Sequence, residues 1–217
     1  MAFQLSPEME NYVLASSVGY GTSGAALAAE TAALGDPAVM MLAKEEYALL
    51  RFLAGVLGCR RALDVGTFTG LSALAFAEGM GAAGRVVSID RHRPWVDIAQ
   101  RHWTSAGVQD RIEVHYGEAV DVLAKLAATC RQSFDIAFLD VDKAPIHDYF
   151  TATLELLAPK GVVIVDNTLW HGWVLDPARR DPDTEGLRAF NEWIAHDPRF
   201  EAVLLPIGDG LTLVRRR

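Results

Sequence analysis

Short apolar runs ending at a glycine or an acid alternate with longer helix-like stretches through most of this chain. No other feature constrains its fold as strongly. The runs are Arg61–Val65, Arg85–Ile89, Ile112–Tyr116, Phe134–Leu139 and Gly161–Val165. Ala137–Leu139 and Val162–Val165 are apolar at every position, as strands buried on both faces of a parallel sheet must be. Between the runs, Gly70–Gly79, Trp95–Ala106, Ala119–Thr129 and Asp148–Leu157 read as helices, which gives successive β-α-β units. Farther on, Glu201–Pro206 and Leu211–Arg215 are split by Ile207-Gly208-Asp209-Gly210. A short, glycine-bearing connection of this kind predicts an antiparallel hairpin. The expectation is an open, doubly wound α/β sheet of seven strands, mostly parallel, with the antiparallel hairpin at its C-terminal end.

The first 60 residues contain no strand pattern. Tyr12–Val18, Ala25–Leu34 and Lys44–Leu57 read as helices, the last with Tyr47, Leu50, Phe52, Leu53 and Leu57 as its core face. A chain of 217 residues is long enough for one sizeable core. We therefore expect one domain over 1–217, with a helical segment at 1–60 and an α/β core at 61–217. Trp173–Gly186 is polar and contains prolines, which predicts a surface loop of a length that is often functional.

Charge and cysteines narrow the function. The net charge of −8 opposes nonspecific binding to nucleic-acid backbones, which needs a basic face; Arg215–Arg217 reads as a solvated tail. Cys59 and Cys130, the only two cysteines, cannot build a disulfide framework, and without a C-x-x-C pair they give no support to a thiolate zinc site. The N-terminal stretch carries acids and lacks the apolar core of a secretory signal. No run of ~18 apolar residues marks a membrane span. A cytoplasmic protein is expected.

The chemistry gathers at the strand ends. Arg61–Val65 runs into Gly66-Thr67-Phe68-Thr69-Gly70 and then a helix, where Gly66 permits close approach of a ligand and Gly70 close helix packing. The third glycine of the dinucleotide fingerprint is missing. Asp90 closes the second strand roughly 20–25 residues later, the place of an acid that accepts hydrogen bonds from ribose hydroxyls; an ordinary helix cap is the alternative. Asp64, Asp90, Asp140, Asp142 and Asp166 all sit at strand ends. Together they would repel a pyrophosphate and suit a cofactor carrying an ammonium and a sulfonium, so S-adenosyl-methionine is favoured over NAD. Asp140, Asp166 and Asn167 are hard oxygen donors on what would be neighbouring strands, suited to Mg²⁺ or Ca²⁺; helix caps and ion pairs are the alternative. Lys143 is a candidate base or an ion-pair partner. His147 and His171 are weaker base candidates. Trp170 and Trp173 either wall a flat substrate or pack.

At these residues the sequence resembles the cation-dependent O-methyltransferases of the caffeoyl-CoA and catechol O-methyltransferase group, nearer the caffeoyl-CoA branch and its bacterial relatives. The resemblance is carried by ALDVGTFTGLSALAFA, RVVSIDRHRPWVDIAQ, YGEAVDVL, FDIAFLDVDKAPIHDYF, GVVIVDNTLWHGWV and LPIGDGLTLVRR, in order from about Met40 to the end. It implies a Rossmann-like methyltransferase fold and a homodimer. It also implies a metal site at Asp140, Asp166 and Asn167, with Lys143 as catalytic base. Leu42, Asp64, Gly66, Thr67, Ser72, Asp90, Ala119 and Asp142 fall at cofactor positions, and Trp170 and His171 at substrate positions. Tyr47 stands where relatives often have glycine, and His171 where plant enzymes have asparagine. The implied reaction is Mg²⁺-dependent methyl transfer from S-adenosyl-methionine to a small aromatic substrate with adjacent hydroxyls. An NAD-linked dehydrogenase and a non-catalytic assembly protein are the other readings.

Overall fold

The computed structural model describes residues 6–217. Residues 1–5, part of the stretch read as lacking a secretory signal, lie outside the described residues. Three helices come first: α1 (Pro7–Ser16), α2 (Gly21–Ala32) and α3 (Lys44–Val56). The alternating part follows as β1 (Arg61–Val65), α4 (Leu71–Met80), β2 (Arg85–Asp90), α5 (Arg93–Ser105), β3 (Ile112–Tyr116), α6 (Ala119–Ala127), β4 (Phe134–Leu139), α7 (Ile146–Leu156) and β5 (Leu157–Val165). It closes with α8 (Pro182–His196), β6 (Phe200–Leu205) and β7 (Leu211–Arg216). The seven strands form one sheet in the order β3-β2-β1-β4-β5-β7-β6. The first five are parallel, and β7 runs antiparallel to both β5 and β6.

Successive side chains of a strand point to opposite faces, and the two apolar layers obey this. Ala62, Val86, Ile136, Phe138 and Ile164 pack with Leu27, Leu50, Phe76 and Trp103 from α2 to α5. Leu63, Val87, Ala137, Leu139 and Val163 pack with Leu123, Phe150 and Phe190 from α6 to α8. Both faces of the central strands are therefore dry, which is why their sequence is apolar without alternation.

Four expectations need correction. Phe52 and Leu57 are 66% and 51% exposed; the core face of α3 is Tyr47, Leu50 and Ala54, and Phe52 lies two residues from both Leu50 and Ala54, on the opposite side of the helix. The loop expected at Trp173–Gly186 ends at Asp181, because α8 starts there. The Asp181 carboxylate accepts from Thr184 N at 3.0 Å, Pro182 takes the first helical position, and Asp183 and Glu185 lie in the first turn, a combination that starts helices. β5 begins at Leu157 instead of Gly161, with a register irregularity opposite Phe134–Ile136 that accommodates the exposed Pro159 and Lys160. Helix α1 stops at Ser16, short of Val18. Among the described residues no helix is long and apolar enough to cross a membrane.

Candidate active site

In the strand order, β1 lies between β2 and β4, so the chain winds outward in both directions from the β1/β4 pair. The crevice above the carboxyl ends at such a reversal is where open α/β sheets take ligands. Here it is a cleft of about 600 Å³. Of the cofactor positions, Leu42, Gly66, Asp90, Ala119 and Asp142 line it; so do Asp140, Asp166, Asn167, Lys143, Trp170 and His171.

Gly66 makes the crevice possible. Its φ is +95°, and a Cβ there would stand 1.8 Å from the carbonyl oxygen of Asp140. Gly66→Ala therefore combines a left-handed backbone with overlap against main chain. It should cost roughly 3 kcal/mol or more of stability, at the large end for single substitutions. Urea denaturation checks this; a Gly66→Ala protein with unchanged midpoint would contradict the close approach.

The turn after Gly66 aims Asp90. Its Oδ2 accepts from Phe68 N at 2.8 Å and its Oδ1 from His92 N at 2.7 Å, so the carboxylate is held from two sides with lone pairs to spare. Asp64, Thr67 and Ser72 do not line the cleft. They form the floor beneath the turn: Asp64 is fully buried, Ser88 Oγ donates to its Oδ2 at 2.6 Å and lies 2.6 Å from Thr67 Oγ1. Burial pushes the Asp64 carboxyl up to about 7, with the Ser72 and Ser88 hydroxyls opposing and the charges of Asp90 and Asp140 adding to the rise. At the rim, Arg91 Nη1 stands 3.2 Å from both Glu118 and Asp142, bridging the tips of three strands.

Residues Leu139 and Val165 pair across β4 and β5, so Asp140 and Asp166, the next residue on each strand, emerge side by side. Asp166 is buried, and its Oδ1 accepts from Asn167 N at 2.6 Å. Burial, then the charges of Asp140 and Glu46, hold its carboxyl well above the usual range, against the pull of Lys143. Lys143 Nζ donates to Asp140 Oδ1 at 2.9 Å, and its side chain is only 6% exposed. The Lys143–Ala144 backbone is fixed by α8, where Asp183 Oδ1 accepts from Ala144 N at 2.9 Å.

The donor chemistry fits a hard divalent cation. Among the described residues no three His, Cys, Asp or Glu side chains gather round one point; the candidate set is two carboxylates and an amide carbonyl. Like charges crowded at low exposure raise one another's proton affinity, and a cation relieves that repulsion without a proton.

Several cleft residues were not singled out from sequence. Glu46 reaches the site from the first turn of α3, where its Oε2 accepts from Ala43 N at 2.9 Å. Burial pushes its carboxyl up to about 7 despite that bond, and Asp140 adds to the rise. The usual signal for such a reciprocal cap is Ser or Thr three residues earlier, and here that residue is alanine. Phe68, Arg91, Asp183 and Asp209 also line the cleft. Asp183 carried a readable signal, the D-P-D-T-E start of α8.

Trp170 and His171 lie in the turn after β5, at one end of the cleft lining. Trp170 and His171 both have positive φ, +49° and +55°. The His171 ring lies 5.4 Å from that of Trp170 and 5.0 Å from that of Trp173. Trp173 does not line the cleft; it stands behind His171, with the Arg179 guanidinium 3.9 Å over its ring. His147 is not in the cleft either. It stacks 4.3 Å from Trp193, which removes it as a base candidate.

A family model described as O-methyltransferase matches residues 22–217. Caffeoyl-CoA O-methyltransferase 1 of Eucalyptus globulus is 33% identical over 190 residues, covering 82% of this chain and 75% of that protein. Among solved structures, the O-methyltransferase from Bacillus cereus in complex with SAH superposes with a TM-score of 0.87 at 30% identity, covering 97% of each chain. The O-methyltransferase TomG from Streptomyces achromogenes, involved in tomaymycin synthesis and solved with SAM, gives 0.85 at 30% identity over 96% of each chain.

Proposed function

Because the chain belongs to the O-methyltransferase family, we propose that it moves the methyl group of S-adenosyl-methionine to a hydroxyl of a small aromatic substrate carrying two adjacent hydroxyls, with the aid of Mg²⁺ or a similar cation. The observation that carries this reading is the convergence of Asp140, Asp166, Asn167 and Lys143 in the same cleft as Asp90. Two supports stand beside it. The 30%-identical relatives were solved with SAM or SAH. The cleft lining carries eight Asp and Glu side chains against one Arg and one Lys, an environment for a sulfonium and a divalent cation and against a pyrophosphate.

Asp90, already oriented by two backbone N–H groups, would accept the ribose hydroxyls, and Asp142, at the rim beside Arg91, would supply negative charge toward the amino group of the methionine end. Asp140, Asp166 and Asn167 hold the cation, which when bound lowers the pKa of an oxygen beside it. Lys143 receives the proton at Nζ. Its present partner is Asp140, so the amine is free for that role only when Asp140 is engaged elsewhere. Trp170 and His171 would wall the ring, and the turn they belong to, fixed by the hairpin, would help hold the attacking oxygen in position, from which much of the acceleration of a displacement can come. The exposed Phe52 and Val56 on α3 and Leu57 just past its end support a homodimer, to be checked by light scattering.

A methyl-transfer screen over catechols, hydroxycinnamates and flavonoids, with and without Mg²⁺, tests the reading; no transfer to any vicinal diol would refute it. For the cofactor site, charge-assisted hydrogen bonds contribute roughly 1.5–3 kcal/mol each. Asp90→Ala should therefore weaken S-adenosyl-methionine binding at least about tenfold. Calorimetry on the folded variant measures this, and unchanged affinity would remove Asp90 from the site.

A further inference from the structure

We propose that Asp209, in the β6–β7 connection, is the positioning residue of the substrate end: it clamps the turn after β5 and draws the Nδ1 edge of His171 toward itself, leaving Nε2 to face the cleft. The assignment rests on the reading of Trp170 and His171 as the substrate wall.

Three non-glycine residues of that turn have positive φ: Asn167 at +59°, Trp170 at +49° and His171 at +55°. Such conformations persist where the surroundings over-determine them. Asn191 of α8 and Thr212 of β7 hold Thr168, and the β6–β7 connection holds the rest of the turn. Thr168 N donates to Gly210 O and Leu169 N to Asp209 O, each at 2.9 Å. Asp209 Oδ1 accepts from His171 N at 2.7 Å. Gly210 is required for the approach, since a Cβ there would stand 2.5 Å from the Leu169 side chain and 2.7 Å from its backbone nitrogen. Asp209 thus holds the turn through its main chain and through one carboxylate oxygen.

The other oxygen gives the second half of the proposal. Asp209 Oδ2 is buried with no hydrogen-bond partner, and His171 Nδ1 stands 3.6 Å away. That separation is too long for a hydrogen bond. A buried carboxylate oxygen without a donor is nevertheless unfavourable, and the imidazole is placed to supply one. The His171 side chain is 57% exposed, and a small turn of its ring brings Nδ1 within reach. Trp170 and Trp173 flank the ring. A neutral imidazole that donates at Nδ1 must accept at Nε2. The wall therefore presents an acceptor to a substrate hydroxyl, set by a residue 38 positions away in the chain.

Nitrogen-resolved NMR of the histidine rings, recorded above the histidine titration without ligand and assigned through His171→Gln, tests this directly. Wild-type His171 is expected as the Nδ1–H tautomer. Asp209→Asn keeps an oxygen for His171 N but loses the charge, and Asp209→Ala loses both; each should return the ring toward the Nε2–H form that free imidazoles favour. The same tautomer in the wild type and in either folded variant overturns the proposal. With 4-nitrocatechol as the probe, followed by its absorbance, Asp209→Ala or Asp209→Asn should bind about tenfold more weakly, with affinity for S-adenosyl-homocysteine unchanged; equal nitrocatechol affinity also overturns it. A wild type that does not bind nitrocatechol refutes the diol reading instead, and the tautomer still decides the role of Asp209.

Discussion

Asp166→Ala is expected to abolish methyl transfer to the level of a chelator-treated wild type while leaving cofactor affinity measurable. Asp166 is the most enclosed of the candidate ligands, crowded by Asp140 and Glu46, with Lys143 as the nearby positive charge. A cation held there stabilises developing charge on the reacting oxygen by several kcal/mol, and each 1.36 kcal/mol is tenfold in rate. The loss should be about 10³-fold or more. The residues proposed to hold the cofactor, Asp90, Gly66 and Asp142, come from other strand ends, which is why binding should survive. Binding to the folded state alone also raises the melting temperature by mass action. Added Mg²⁺ should therefore stabilise the wild type and leave Asp166→Ala unmoved. Full activity in excess chelator, with no residual metal by elemental analysis, would sink the cation site. A chelator-sensitive enzyme whose Asp166→Ala variant still responds to Mg²⁺ would move that site elsewhere in the cleft.

The site was legible in the sequence where the backbone alone fixes position. The residue after a strand's last paired position must emerge at the sheet's carboxyl edge, so Asp140 and Asp166 could be placed once FDIAFL and GVVIV were recognised as doubly buried strands. β1, β3 and β4 begin and end where their apolar runs do. What required tertiary packing was hidden. Strand order is one example: nothing local says that β7 inserts between β5 and β6. Helix α8 differs: its D-P-D-T-E start and the helical spacing of Leu187, Phe190 and Ile194 were legible, and the proline-bearing stretch before it masked them by reading as loop. Glu46 and Asp209 come from a helix start and a hairpin turn far apart in the chain, and their burial is created only when α3 and the hairpin close over the sheet. A Cβ on Gly208 would lie 1.8 Å from Glu46 Oε1, so even the contact between those two segments depends on a glycine whose role no local pattern announces. The family resemblance puts Asp64, Thr67 and Ser72 at cofactor positions; in the structure they lie beneath the turn after β1 and outside the cleft lining, which residue spacing alone does not reveal.

Lys143→Met should separate proton acceptance from packing. The methionine keeps much of the apolar stem in a position only 6% exposed and removes the amine. General-base contributions are typically ~10²–10⁴-fold, so single-turnover methyl transfer should fall within that range. Cofactor affinity should hold, because Lys143 faces Asp140 and not Asp90. The expectation for stability follows from the same ion pair. Removing the amine leaves Asp140 without its 2.9 Å partner, but that carboxylate is 29% exposed and can be solvated or engaged by a cation, so the melting temperature in Mg²⁺ should stay close to wild type. A structural lysine predicts the reverse, a clear loss of stability with the rate of the folded fraction unchanged. Substrate acidity sharpens the distinction. A nitrocatechol gives up its proton more readily than catechol, so the deficit of Lys143→Met should shrink along a series of increasingly acidic diols if Nζ takes that proton, and stay constant if it does not. Wild-type single-turnover rates across the series would refute the catalytic assignment and leave His171, the remaining histidine candidate in the cleft, as the side chain to test next.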